Sequence, residues 1–369
     1  MATKKQTKKK NTKKTKSLWS KILSVVIILL VAAWYVGGKP TIAISENGIA
    51  WYLTEEPLLF QIDDILRSEL AKVTEEPSAP PASTATSSAS TTSGTGTTGS
   101  FAGDKGYSEN NPLFLGNPSD ALAKISSEEN YLMEKPQFTL SYNNKLLVPN
   151  WAAWHLDSDD MGKADRQDDF RPDEDLPEGW YAVKKADYQY NKYGFDRGHV
   201  CPSADRTTTE EDNSMTFLMT NMVPQSPDNN RIIWMHFETY ERELVEQGNE
   251  LYIIAGPYGK GGTTSKGTFE AIEIKTKTGE TYSMNVPEST WKVVIAIPEG
   301  KNDSGRISKE ATAIAINVPN KMGMAKTGDW EQYITTIDEI ERLTGYDFFE
   351  LLPDDIEDAL EKKVYEYSK

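Results

Sequence analysis

Residues 77–105 are drawn almost wholly from Ser, Thr, Ala, Gly and Pro and carry only one acid and one base, both at the end. Such a stretch has too little apolar surface to offset its conformational entropy, so no packed core can run through it. It divides the chain. Any sizeable core is confined to residues 106–369, which are long enough to build one.

The chain ahead of that divider has a different grammar. Residues 1–21 hold nine lysines and no acid, and residues 22–38 are uncharged and mostly apolar. Seventeen uncharged residues sit at the short end for a membrane span. A basic flank on that side predicts a cytoplasmic tail at 1–21, a signal anchor or transmembrane helix at 22–38, and the rest of the chain outside the cell. Ala32-Ala33-Trp34 gives no clear small-x-small site, which favours an uncleaved anchor over secretion after signal cleavage. Residues 39–76 form a short extracytoplasmic segment without a readable role. Ile42–Leu53 suits a strand pair and Pro57–Val73 a helix, with 77–105 as a flexible stalk. The single cysteine, Cys201, excludes an intramolecular disulfide. A catalytic thiol would need a surrounding pattern that is not there.

Beyond residue 105, strand-like runs fall at Gln137–Tyr142, Thr216–Met219, Leu251–Ala255, Thr268–Ile274, Trp291–Ile297 and Ala313–Val318. Helical runs fall at Asn229–Val245, Ile334–Leu343 and Ile356–Glu366. Strands outnumber helices and do not alternate with them regularly. That predicts an α+β fold with a central, largely antiparallel sheet flanked by helices.

Two segments carry chemistry. The first is Gly-Phe-Asp-Arg-Gly-His at 194–199. It sets a guanidinium (Arg197) two residues before a base suited to proton transfer near neutrality (His199), in a chain with three histidines. Arginine suits a phosphate-shaped substrate. The second is the helical run after Asp228 or Asn229, either of which suits an N-cap. At about 100° per residue, with Asn230 at zero, Trp234 falls near ~40°, Glu238 near ~80° and Arg242 near ~120°. Ile233, Phe237 and Leu244 make the adjacent apolar stripe. Amide and carboxylate oxygens suit a hard cation such as Mg²⁺. An ordinary i,i+4 ion pair between Glu238 and Arg242 is the plainer alternative. His155 and His236 read as structural, and Asp205 and Arg206 as a local pair or turn cap.

Asp196-Arg-Gly-His, Thr220-Asn-Met-Val-Pro-Gln, and Asn229-Asn-Arg with a glutamate eight residues after Asn230 resemble the DNA/RNA non-specific endonuclease family. This is the ββα-metal (His-Me finger) group, and the likeness is nearest to its secreted cyanobacterial members. Asn130-Tyr-Leu-Met, Pro149-Asn-Trp, Arg166-Gln-Asp-Asp-Phe-Arg-Pro-Asp, Leu251-Tyr-Ile-Ile-Ala-Gly-Pro and Leu343-Thr-Gly-Tyr-Asp-Phe extend it over roughly 110–352. The resemblance implies a ββα-metal fold with Asp196–His199 on a hairpin arm and Asn230–Arg242 on the crossing helix. It implies His199 as general base, Asn230 as the single protein ligand of one Mg²⁺ (with Mn²⁺ as a possible substitute), and Glu238 holding metal-bound water. Arg171, Arg197 and Arg242 would contact the phosphate. Asn221 would support the histidine, and Asp196 would be structural.

None of these roles touches a base edge or a 2′-hydroxyl, so DNA and RNA are both expected substrates, cut to 5′-phosphate ends. Composition pulls the other way. The chain has net charge −16, and residues 106–369 hold 27 basic against 47 acidic residues. An acidic body argues against tight, extended nucleic-acid binding, but not against a cleft made locally positive by arginines and a metal. A silent phosphate or nucleic-acid receptor and a structural envelope protein are the rival classes. The membrane is a partner through the N-terminal helix, and an inhibitor protein of the producing cell is left open.

Overall fold

The computed structural model describes residues 41–45, 48–53, 56–57, 107–324 and 328–367. The chain divides into two compact units, 1–93 and 94–369. In the first, β1 (Thr41–Ser45), β2 (Gly48–Leu53) and β3 (Glu56–Pro57) form a small antiparallel sheet. The expected basic tail, apolar span, Pro57–Val73 helix (beyond its first residue) and stalk lie outside the described residues. Among the described residues no helix is long and apolar enough to cross a membrane.

The second unit is organised by a seven-stranded sheet. Its strands are β4 (Tyr131–Glu134), β5 (Thr139–Asn143), β6 (Val148–Leu156), β9 (Asn249–Tyr258), β14 (Ser289–Pro298), β15 (Thr312–Pro319) and β16 (Ile334–Thr335). Their spatial order is β16-β15-β14-β9-β6-β5-β4, and every pairing is antiparallel. Four smaller strands form two hairpins, β10 (Gly262–Thr264) with β11 (Gly267–Phe269) and β12 (Ala271–Lys275) with β13 (Thr281–Asn285), so the single run expected at 268–274 is divided between β11 and β12. The α+β expectation holds, with the sheet antiparallel throughout.

Both faces of the sheet are covered. Period-two alternation sends Trp291, Val293, Ile295 and Ile297 of β14 into one apolar layer, and Val294 and Ala296 into the other. On β6, Trp151 and Ala153 join the first layer, and Ala152, Trp154 and Leu156 the second. Val148–Leu156 carries no strand signature because Pro149, Asn150 and the Ala152-Ala153 pair interrupt any β-branched run.

The first layer packs beneath two C-terminal helices, α3 (Ile337–Thr344) and α4 (Asp354–Glu361), through Ile337, Ile340 and Leu360. Thr336 caps α3 by accepting from Glu339 N, and Gly345, at φ +74°, ends it in the left-handed conformation that glycine adopts without steric cost. The helix expected over 356–366 stops at Glu361. The other layer packs beneath a helix that begins as a π-turn at Asn229–Trp234 and continues as α2 (Met235–Glu246). Residues 216–219, expected as a strand, instead form the turn after a short helix, α1 (Glu210–Met215); the Thr216 hydroxyl donates to the Asn213 carbonyl.

Candidate active site

The site stands on two elements outside the main sheet. β7 (Asp196–His199) pairs antiparallel with β8 (Met222–Gln225), setting His199 opposite Met222 and Asp196 opposite Gln225. The π-turn and α2 cross beside this hairpin.

Gly198 is required by a close approach. A Cβ there would lie 1.8 Å from Gln225 Oε1. The space lets Gln225 fold over the strand and donate to Asn229 Oδ1 at 3.0 Å. Asn229 is fully buried and donates to Thr290 Oγ1 at 2.9 Å. The two adjacent asparagines therefore differ: Asn229 anchors the helix inside the protein, and Asn230 is presented to the hairpin. Asp228 takes the N-cap position, as expected, but its side chain makes no capping bond. The nearest capping group is the Ser226 hydroxyl, 3.4 Å from Asn229 N, while Asp228 accepts from Gly323 N.

Asp196 joins the elements. Its carboxylate takes a two-pronged grip from Arg231, at 2.7 and 2.8 Å, and accepts from Asn230 Nδ2 at 3.0 Å. With its amide nitrogen held this way, Asn230 is left with Oδ1 as its coordinating atom. The wide π-turn breaks the uniform 100° spacing between Asn230 and Glu238. Such turns recur at functional sites because they re-aim side chains without ending a helix.

His199 is buried between the rings of Phe170 and Phe217, at 5.7 and 4.8 Å. Its Nε2 is buried and has no hydrogen-bond partner. Burial, then the charges of Arg166 and Arg197, hold the imidazole well below its ordinary pKa. It is therefore neutral near pH 7, the form that accepts a proton. Asn221, fully buried, pins the turn after it by accepting from Cys201 N at 2.9 Å and donating to the Cys201 and Thr216 carbonyls. It touches only backbone and positions the histidine. Burial pushes the Cys201 thiol up, so it stays protonated and unsuited to nucleophilic work.

On α2, burial raises the Glu238 carboxyl to about 7 against the opposing pull of Lys292, Arg242 and Arg166. Arg242 does not make the plain i,i+4 pair. It reaches Asp205 Oδ1 at 2.9 Å, and Asp205, wholly buried, also accepts from Trp154 Nε1. Asp205 does not pair with the Arg206 side chain as expected; Arg206 donates to the backbone carbonyl of Asp205 and ion-pairs with Asp160. Arg197 lies over the Phe170 ring at 4.7 Å, with its Nε buried and unpartnered. Arg171 is engaged by Asp169 and by the Ser214 carbonyl. Arg166, at the head of the Arg166–Asp173 motif, is a further cation of the site. Its guanidinium lies 4.9 Å over Phe217, is bonded to Asp168 and Ser203, and acts electrostatically on both His199 and Glu238. Only its position across the cleft marks it, and no local spacing relates it to His199. His236 Nδ1 donates to the Gly328 carbonyl at 2.9 Å, and His155 sits against Glu250, consistent with structural roles.

A hairpin delivering a neutral histidine, crossed by a helix that presents an oriented amide oxygen and a carboxylate among arginines, defines a ββα-metal nuclease. A model of the DNA/RNA non-specific endonuclease family matches residues 117–355, and the chain belongs to that family of metal-dependent nucleases. It is 46% identical to a nuclease of Nostoc over 252 residues, covering 68% of this chain and 85% of the relative. It is 31% identical to the mitochondrial nuclease EXOG of Danio rerio over 218 residues, covering 58% of this chain and 59% of EXOG. Among solved structures, an EndoG in complex with EndoGI superposes with a TM-score of 0.50 at 20% identity, covering 66% of this chain and 91% of that one. That likeness supports the fold.

Proposed function

We propose that this endonuclease hydrolyses DNA and RNA alike with one Mg²⁺, leaves 5′-phosphate ends, and is held outside the cell by its N-terminal segment. The observation that carries the chemistry is a neutral, buried His199 with an unpartnered ring nitrogen, on the strand whose Asp196 turns the Asn230 amide. The donors fit a small hard cation: one oriented amide oxygen from Asn230 and the Glu238 carboxylate acting through water. When bound, the ion supplies positive charge at the phosphate and lowers the barrier to expelling the 3′ oxygen. His199 takes a proton from the attacking water. Arg197, Arg242 and Arg171 hold the phosphate, to which Arg166 is added here. Asp196, Arg231 and Asn221 hold the reacting groups in place.

Contacts confined to phosphate support the lack of base and sugar preference. The lysine-rich 1–21 followed by uncharged 22–38 supports the anchored topology. An inhibitor protein of the producing cell is the partner that such unselective chemistry calls for. The test incubates the full chain with supercoiled DNA and a structured RNA, with Mg²⁺ or EDTA, beside His199→Ala. Smearing of both substrates, lost in EDTA and in the variant, is expected. Undiminished cleavage by His199→Ala would sink the mechanism. Digestion of intact cells with an external protease tests the topology, since an outward domain is removed and an inward one survives.

A further inference from the structure

The segment leading into β7 is basic in a domain that is acidic. Residues 181–197 hold Lys184, Lys185, Lys192 and Arg197 against Asp187 and Asp196, whereas residues 106–369 as a whole hold 27 basic and 47 acidic residues. Both acids of the segment are engaged. Asp187 accepts from the Tyr181 hydroxyl and from Lys184 N, and Asp196 is gripped by Arg231. The three lysines are exposed, and among the described residues none of them ion-pairs with a carboxylate. The uncompensated charge on this arm is therefore positive.

Within the arm, Lys185 is the cation that faces the site. It opens the 3₁₀ turn Lys185–Tyr188, and its ammonium lies 5.2 Å from the centre of the Phe170 ring. Arg197 lies over the same ring at 4.7 Å, and that ring packs 5.7 Å from the ring of His199. One aromatic side chain thus separates Lys185 both from a phosphate-holding arginine and from the general base. An exposed ammonium gains little from an aromatic face, so it stays available to a stronger anionic partner.

We infer that Lys185 binds the backbone phosphate next to the scissile one, so that the enzyme grips a run of phosphates and favours a polynucleotide over an isolated diester. The inference rests on the nuclease reading and extends it to the class of substrate. If Arg197 holds the phosphate under attack, the strand carries its next negative charge only about 3.4 Å further along the axis of a duplex. Lys185 offers the next cation in line. Its ammonium is a compact point charge on a flexible stem, which meets a phosphate oxygen from many directions, whereas the arginine fork fixes one geometry. Such a contact reads neither base nor sugar, so it adds affinity without sequence preference. It also offsets, where the strand passes, the repulsion that an acidic body exerts on a polyanion.

The test measures cleavage of double-stranded DNA by the full chain with Mg²⁺ over a range of salt. Lys185→Ala should raise KM about tenfold, leave kcat within about twofold, and lower the slope of log(kcat/KM) against log[salt] by about one. Lys185→Arg should recover most of the KM. Lys309→Ala removes one positive charge beside α4, where Lys309 pairs with Asp355 on the other face of the sheet; it should change neither KM nor slope. An unchanged KM and slope in Lys185→Ala would overturn the inference. So would an equal change in Lys309→Ala, which would make the effect one of net charge. A fall in kcat as large as that in kcat/KM would place Lys185 on the scissile phosphate instead. Wild-type protein that cuts no DNA, or His199→Ala protein that cuts it at full rate, would bring down the nuclease reading itself, and this inference with it.

Discussion

On β14, Trp291 and Lys292 are neighbours that face opposite layers of the same sheet. Trp291 enters an apolar layer and packs on Tyr346 and Phe348. Lys292 is fully buried in the other, 2.7 Å from Glu241 and 4.8–5.5 Å from the rings of Trp154, Trp234 and Phe237. A buried ion pair is weak evidence for stability, since desolvation offsets most of the attraction. Its place explains it better. Lys292 is the first of the charges that oppose the rise of Glu238 and of Glu241. One face of the sheet is packed for cohesion. The other, beneath the nuclease helix, also buries Asn229, Asp205, Glu241 and Lys292, whose fields and hydrogen bonds fix the reacting groups.

The contrast is broken most directly at the base. His199→Ala should lower cleavage by about 10²–10⁴-fold with an unchanged melting midpoint. Trp291→Ala should do the reverse, costing about 3–5 kcal/mol of stability with the turnover of the folded fraction retained. If Trp291→Ala also lost turnover at temperatures where it is folded, the two faces would not be separable.

Lys292→Met should cost about 1–3 kcal/mol by leaving the buried Glu241 carboxyl without the group it bonds to, and should also slow cleavage. Adding Glu241→Leu should restore most of the stability but not the rate. Denaturant titration read beside kcat checks both halves. Restoration of both would make the pair merely structural.

Asp196→Asn should weaken the apparent Mg²⁺ affinity by about 10–100-fold, because the partner that turns the Asn230 amide is altered. The readout is the Mg²⁺ dependence of cleavage. An unchanged midpoint would mean that Asn230 needs no such support.

The smallest effect concerns pH. Burial raises the Glu241 carboxyl to about 8 in the fold. A folded value above the unfolded one means that this contribution to stability is full below the unfolded carboxyl range and is lost as pH rises through about 8. Melting midpoints should therefore fall across that window, and Glu241→Gln should flatten the fall. An equal slope in both proteins would assign the dependence elsewhere.

Much of this architecture was legible beforehand. β-branched apolar runs placed β9, β14 and β15, and the helix through Asn230 and Glu238 was visible from its apolar stripe. β6 was not, because Pro149, Asn150 and the Ala152-Ala153 pair leave it without the β-branched run that marks β9 and β14. The site was half legible. His199, Asn230 and Glu238 stand in local motifs, where spacing along the chain carries information. Arg166 enters through a loop that only packing brings across the cleft. The assignment of Asn229 to the interior and Asn230 to the hairpin turns on the Gln225 side chain lying over Gly198 and on a π-turn.

The sequence by itself determined which chemical groups are available and the local elements that bear the motifs, because propensity, patterning and spacing act over a few residues. Tertiary structure alone decided which arginines share the cleft, which acid each one meets and how far each carboxyl is shifted. Those depend on distance and burial between segments far apart in the chain, and no local pattern encodes them.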